Sequence, residues 1–222
     1  MTGFPDQAAL DYDDRIKKLV PGYELALQLF GCVLTERVDP RGSILVPGCG
    51  TGSEILALAA ILPDVRFTAV EPSMGMLEKA RFRLTEAGVN HRVDFIHGLL
   101  SDAPIKTYTA ASLSLVLHFL PDDGSKAGFL KEIAQRLEPH SPLLLLDPLQ
   151  KDDGIILRRW LEGQGHVPEI AGAICRRMDA EWHRITPQRL DELLNVSGFT
   201  PSAMFFQSPG YTGLVAERKC DE

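Results

Sequence analysis

Ser43-Ile44-Leu45-Val46-Pro47-Gly48-Cys49-Gly50-Thr51-Gly52-Ser53-Glu54 is the stretch that decides the fold. An apolar run short enough for a strand ends at Pro47, glycine alternates at positions 48, 50 and 52, and a helix-compatible segment follows. An open parallel sheet makes its tight strand-to-helix turn this way, leaving no side chain between backbone and an approaching ligand. The next apolar run, Val65–Val70, ends in Glu71, nineteen residues after Gly52. At that distance an acidic side chain can accept hydrogen bonds from both hydroxyls of a ribose. Turn and carboxylate together point to a nucleotide-like ligand.

Outward from this core, short strands and helices alternate, which predicts a parallel sheet. Toward the N-terminus, Met1–Gln7 reads as a loose start, Asp11–Leu19 as a charged helix, and Glu24 to about Leu34 as a second helix. Strands are expected at Ser43–Val46, Val65–Val70, Val93–Ile96, Ala111–Phe119 and Leu143–Leu146. The intervening helices run from Gly52 to Leu62, from Ser73 to Ala87, and along a face marked by Leu130, Ile133, Ala134 and Leu137. From Lys151 to Trp182 the periodicity fades. Thr186-Pro187 reads as a helix cap with proline in the first turn, and Gly198 as the stop. Two last strands, Ser202–Gln207 and Tyr211–Glu217, flank Ser208-Pro209-Gly210 and suit a hairpin.

Composition narrows the function classes. Apolar residues make up 45% and charged residues 24%, ordinary for a globular chain with a real core. With 23 Lys and Arg against 30 Asp and Glu, the formal charge of −7 repels a nucleic-acid backbone and favours a small-molecule partner. No apolar run approaches the roughly 20 residues of a membrane helix. Cys32, Cys49, Cys175 and Cys220 form no C-x-x-C pair, and no apolar leader opens the chain, so a reduced, cytoplasmic protein is expected. The histidines and cysteines have no zinc-ligand spacing, so no metal is expected. A homodimer stays open.

With turn, acidic strand end and closing hairpin in hand, the chain resembles the class I S-adenosylmethionine-dependent methyltransferases over almost its whole length. Val46–Gly52 resembles that family's first motif, and Ala69–Arg81 its second, in which the acid holds the ribose and Met76 packs on the adenine. Asp13-Asp14-Arg15, Leu19-Val20-Pro21-Gly22-Tyr23 and Leu115–Leu120 are most similar to the carboxy-S-adenosylmethionine synthase branch and its methyltransferase relatives. The resemblance implies a single α/β domain over residues 1–222, with a seven-stranded, mostly parallel Rossmann-like sheet and a C-terminal antiparallel hairpin. It also implies a helical N-terminal lid over 1–40 and a substrate-specificity insert over 151–185. The cofactor it implies is S-adenosyl-L-methionine, held by Tyr23, Gly48, Cys49, Gly50, Gly52, Glu71, Pro72, Met76, Asp102, Ala103 and Ser114.

Two positions depart from the family pattern. Val46 stands where an acid often begins the first motif, and Leu99 where an acid often follows Gly98; Glu54 and Asp102 are the nearby acids that could replace them. No arginine clearly matches the one with which the synthase branch holds its cofactor's extra carboxylate, Arg176 and Arg177 being loosely placed, so ordinary S-adenosylmethionine fits better. Methyl transfer from a sulfonium is an in-line displacement and mainly requires alignment and exclusion of water. A hydroxyl or amine acceptor also needs a proton removed, which singles out His118, expected at the end of the fourth strand, as catalytic residue. The expected acceptor is a small polar metabolite; the cations and aromatic residues between Leu157 and Arg184 would suit an anionic one. The rival readings are a synthase that modifies the cofactor itself, an enzyme of tRNA wobble modification, and a noncatalytic S-adenosylmethionine-binding protein.

Overall fold

The computed structural model describes residues 11–149 and 154–220; the start expected to be loose, Met1–Gln7, lies outside them. Helices α1 (Tyr12–Leu19) and α2 (Tyr23–Thr35) precede β1 (Ser43–Pro47), α3 (Ser53–Ile61), β2 (Arg66–Glu71), α4 (Met74–Glu86) and β3 (Val93–His97). Then come β4 (Ala110–Ser114), α5 (Ser125–Ala134), β5 (Pro142–Asp147), α6 (Ile155–Gly163), α7 (Pro168–Glu181), α8 (Pro187–Val196), β6 (Ala203–Ser208) and β7 (Tyr211–Glu217).

The strands form one sheet in the order β3-β2-β1-β4-β5-β7-β6. The first five are parallel, and β7 runs antiparallel to both β5 and β6. Chain order reverses between β1 and β4, the point at which open α/β sheets leave a crevice outside their carboxyl ends. One face of the sheet packs through Ile44, Val46, Leu144 and Leu146 against α2, α3, α4, α6 and α7. The other packs through Leu45, Leu113, Leu143 and Leu145 against α5 and α8. All six side chains of β5 are buried, which is why a leucine run without polar alternation is stable there.

The expected fourth strand is too long at its C-terminal end. β4 stops at Ser114, because Leu115 adopts φ 59° and turns the chain out of the extended region while its N–H reaches the Leu146 carbonyl at 2.7 Å. Leu117–Phe119 then forms a short 3-10 turn, so His118 stands on that turn rather than on the strand. The apolar run that suggested a long strand continues because the turn itself is buried; hydrophobicity alone does not separate the two. A second correction concerns Lys151–Trp182. Within its described part it is two helices, α6 and α7, the latter opened by Pro168 in its first turn. The Thr186 cap is as expected, its hydroxyl accepting the Arg189 N–H at 3.2 Å.

Candidate functional site

Beyond β1 the chain turns through Gly48 (φ 71°) and Gly50 (φ 53°), a left-handed region in which a side chain is strained. A Cβ at Gly48 would strike Val116 at 2.6 Å, whereas a Cβ at Gly50 would meet nothing within 4 Å. Gly48 is therefore glycine for packing and Gly50 leaves its backbone bare toward open space. The N–H groups of Gly48 and Cys49 are taken by the Val70 carbonyl, which anchors the turn to the end of β2.

Glu71 closes the turn from behind. Its buried carboxylate accepts the Gly50 N–H at 2.9 Å and the Ser73 N–H at 3.0 Å. Burial raises its pKa above the usual carboxylate range, against the pull of those two amides. Ser73 caps α4 by accepting the Met76 N–H at 3.3 Å.

A narrow cleft opens over the turn, lined by Gly48, Cys49, Gly50, Thr51, Ser53 and Glu54, by Ser114 from β4, and by Tyr12 and Tyr23. It lies where the strand order reverses. Of the residues expected to hold a cofactor, Tyr23, Gly48, Cys49, Gly50 and Ser114 thus converge, with Glu71 against Gly50. Pro72 and Met76 follow on the β2–α4 connection, where the Pro72 carbonyl meets His97 Nε2 at 3.1 Å. Gly52 is not part of the cleft wall; a Cβ there would press on Ala80 and Leu84, so it lets α3 approach α4. Asp102 is exposed and folds back on its own loop, accepting the Leu99 N–H at 2.8 Å, and Ala103 is buried in the second core. Arg176 and Arg177 are exposed on α7, Arg177 pairing with Glu181 at 2.8 Å.

Burial keeps the thiol of Cys49 and the phenols of Tyr12 and Tyr23 well above their ordinary pKa values, so all three stay neutral. A nucleophilic Cys49 is thereby disfavoured. The hydroxyl of Ser114 is buried without a hydrogen-bond partner among the described residues.

Sequence reasoning missed the fastening of α1. Asp13 accepts from Thr51 Oγ1 at 2.6 Å and Ser53 Oγ at 3.1 Å, and pairs with Lys79 and Arg83, each at 2.9 Å. Burial alone would raise its pKa, but the Thr51 hydroxyl and the two cations outweigh it and hold Asp13 below the usual range. Arg83 also reaches the Thr51 carbonyl at 2.8 Å. These partners lie far apart in the chain, so no local pattern signals them.

His118 lies outside the cleft lining, in a buried cluster at the end of β5. Asp147 accepts the N–H groups of Leu117 at 2.9 Å and His118 at 3.1 Å, and its Oδ1 is 3.1 Å from His118 Nδ1. Lys126 donates to the Leu117 carbonyl at 2.6 Å, so the turn is held from both sides. The imidazole packs between Phe119 and Trp182, with ring centroids at 4.0 and 4.3 Å, and its Nε2 has no partner among the described residues. Asp147 was also missed; the Asp147-Pro148 strand end was its only signal. Among the described residues no group of three His, Cys, Asp or Glu side chains is arranged to hold a metal, and no helix is long and apolar enough to cross a membrane.

Comparison with known proteins agrees with this geometry. A family model described as a methyltransferase domain matches residues 44–140. The carboxy-S-adenosyl-L-methionine synthase of Chromohalobacter salexigens is 26% identical over 222 residues, covering 96% of this chain and 82% of its own. Among solved structures, a mitomycin 7-O-methyltransferase aligns with TM-score 0.65 at 21% identity over 88% of this chain. The magnesium protoporphyrin IX methyltransferase of Synechocystis, with bound SAH, aligns with TM-score 0.67 at 17% identity over 91% of this chain and 86% of its own. This chain spans only 54% of the mitomycin enzyme's length. At such identities the structural likeness is one of fold.

Proposed function

We propose that this chain is a class I S-adenosylmethionine-dependent methyltransferase and transfers the methyl group of S-adenosyl-L-methionine to a small polar acceptor. The observation that carries this reading is the cleft at the strand-order reversal, floored by the glycine turn with its bare main chain at Gly50 and closed behind by Glu71.

The residues present fit the cofactor. Gly50 leaves open space above its backbone, and Glu71 is a carboxylate at the end of β2, where it can take ribose hydroxyls. Two walls of the cleft are Tyr12 and Tyr23, which narrow it. On this reading α1 and α2 are a lid that must yield for a nucleoside to enter, as the lid assigned to residues 1–40 requires. Pro72 and Met76 would flank the adenine.

When bound, the cofactor supplies an electrophilic methyl group on a sulfonium. The chain has then to bind, orient and keep water out, which Tyr12 and Tyr23 do by covering the cleft. His118, its Nδ1 side held by Asp147, would take the acceptor's proton at Nε2. The helices α6 and α7, bringing Trp182 to that imidazole, would form the acceptor side.

A second reading, a synthase that modifies S-adenosylmethionine, is favoured by the name of the relative that matches 96% of this chain. Against it, among the described residues the cleft lining holds no Lys or Arg to meet an added carboxylate, and it does hold Glu54. Titration calorimetry with S-adenosylmethionine, mass spectrometry of any co-purified ligand and a labelled-methyl screen of metabolites test both. Methyl label in a metabolite supports the first reading and a carboxylated cofactor mass the second, while binding without any transfer leaves a noncatalytic binder.

A further inference from the structure

We propose that the Glu54 carboxylate, backed by Ser112, is a cation subsite that faces the positively charged methionine half of S-adenosylmethionine. This rests on the functional reading above and names the chemistry of one wall of the same cleft. Glu54 stands in the first turn of α3, is 4% exposed, and is the one carboxylate among the described residues that line the cleft. Its Oε1 takes the hydroxyl hydrogen of Ser112 from β4. Two residues further along that strand the Ser114 hydroxyl, buried and without a partner among the described residues, lines the same cleft.

The three acids around the turn differ in how their charge is answered. Asp13 has Lys79 and Arg83, and Glu71 has two backbone amides. Glu54 has a single hydroxyl, and among the described residues no Lys, Arg or His pairs with it. The α3 N-terminus favours a negative charge there, but too weakly to replace a cation. Burying an ionised carboxylate without a cation costs several kcal/mol, and an apolar pair would join α3 to β4 more cheaply. The arrangement makes sense once a cation enters the cleft. Such a cation is present on S-adenosylmethionine twice, as sulfonium and as α-ammonium, and β1 brings only apolar side chains to the turn. Burial also raises the Glu54 pKa to about 7, so an arriving cation would expel a proton near neutrality. The titratable groups around it are Tyr12 on α1, Tyr23 on α2 and Cys49 in the turn, each held neutral by burial, with Asp13 and Glu71 beyond.

The test is calorimetry on the full chain, wild type and Glu54→Gln, with S-adenosylmethionine and S-adenosylhomocysteine, which lacks the sulfonium charge. Glu54→Gln should bind S-adenosylmethionine about tenfold more weakly, the size of one charge-assisted contact, while its thermal midpoint does not fall. Loss confined to S-adenosylmethionine assigns the subsite to the sulfonium, and equal loss for both ligands assigns it to the ammonium; either upholds it. Unchanged affinity for both overturns it. A second measurement needs no variant: at pH 7, wild-type binding heats in two buffers of different ionisation enthalpy should report proton release, and equal heats overturn the subsite. A wild-type chain that binds neither ligand brings down the functional reading itself, a result distinct from a variant that binds normally.

Discussion

The carboxyl edge of the sheet is built in two ways on the two sides of its strand-order reversal. On the β1–β2 side the polar surface is main chain, with Gly48, Cys49 and Gly50 positioned by the Val70 carbonyl and the Glu71 carboxylate. On the β4–β5 side it is side chain: Asp147 gathers two backbone N–H groups and an imidazole into a buried cluster that Lys126 completes. A backbone surface depends on having no side chain at a few glycines, and tolerates much around them. A buried side-chain cluster depends on its shared acceptor, here Asp147, since each donor orphaned by its loss costs about 1–3 kcal/mol.

The sharpest way to break this contrast is Gly50→Val. A β-branched residue at φ 53° is strained, and it fills the space that the bare backbone leaves open. Binding of S-adenosylmethionine should fall by ~100-fold or more, at least about 2.7 kcal/mol; calorimetry showing near wild-type affinity would remove the turn from the site. On the other side, Asp147→Ala should cost about 2–4 kcal/mol of stability, because three buried donors lose their acceptor. Denaturant unfolding measures this, and a loss below ~1 kcal/mol would mean that the cluster rearranges freely.

Glu71→Ala should weaken S-adenosylmethionine binding by about 1.5–3 kcal/mol, the range for hydrogen bonds to a charged group. An unchanged dissociation constant would leave Glu71 as no more than a support for Gly50 and Ser73.

Glu54 sharpens the contrast through pH, as a side chain placed on the main-chain side. Its folded pKa of about 7 lies above the ordinary 4.5, so the folded state binds the proton more tightly than the unfolded one. Stability is therefore lost as pH rises from about 4.5 through about 7. Glu54→Gln should exceed wild type by roughly 1–2 kcal/mol at pH 8, with the gap shrinking toward pH 5, in urea titrations at both values. A gap that does not change with pH would deny the buried carboxyl its shifted titration. The smallest effect is expected at Ser73→Ala, which removes the α4 cap at a cost of ~1 kcal/mol in thermal unfolding.

The same contrast explains what could be read in the residues alone. The alternation of strands and helices, the glycine turn and the strand-end Glu71 are local patterns imposed by backbone geometry, and all stand as expected. The closing hairpin was legible for the same reason. Asp147 and His118 meet across 29 positions and Asp13 meets Arg83 across 70, so no window of sequence contains either pair. Leu115–Leu120 misled because a buried turn is as apolar as a strand. Asp102 has a local role that the residues alone did not reveal: its Oδ2 accepts the Leu99 N–H of its own loop.

The position of β7 has a consequence for how the chain comes off the ribosome. β5 lies between β4 and β7, yet β7 is made about sixty residues after β5. Until Tyr211–Glu217 emerges, Leu143–Leu146 presents an unpaired, wholly apolar edge to other nascent chains. A chain cut before residue 211 should therefore aggregate more readily than the full chain, its β5 edge uncovered.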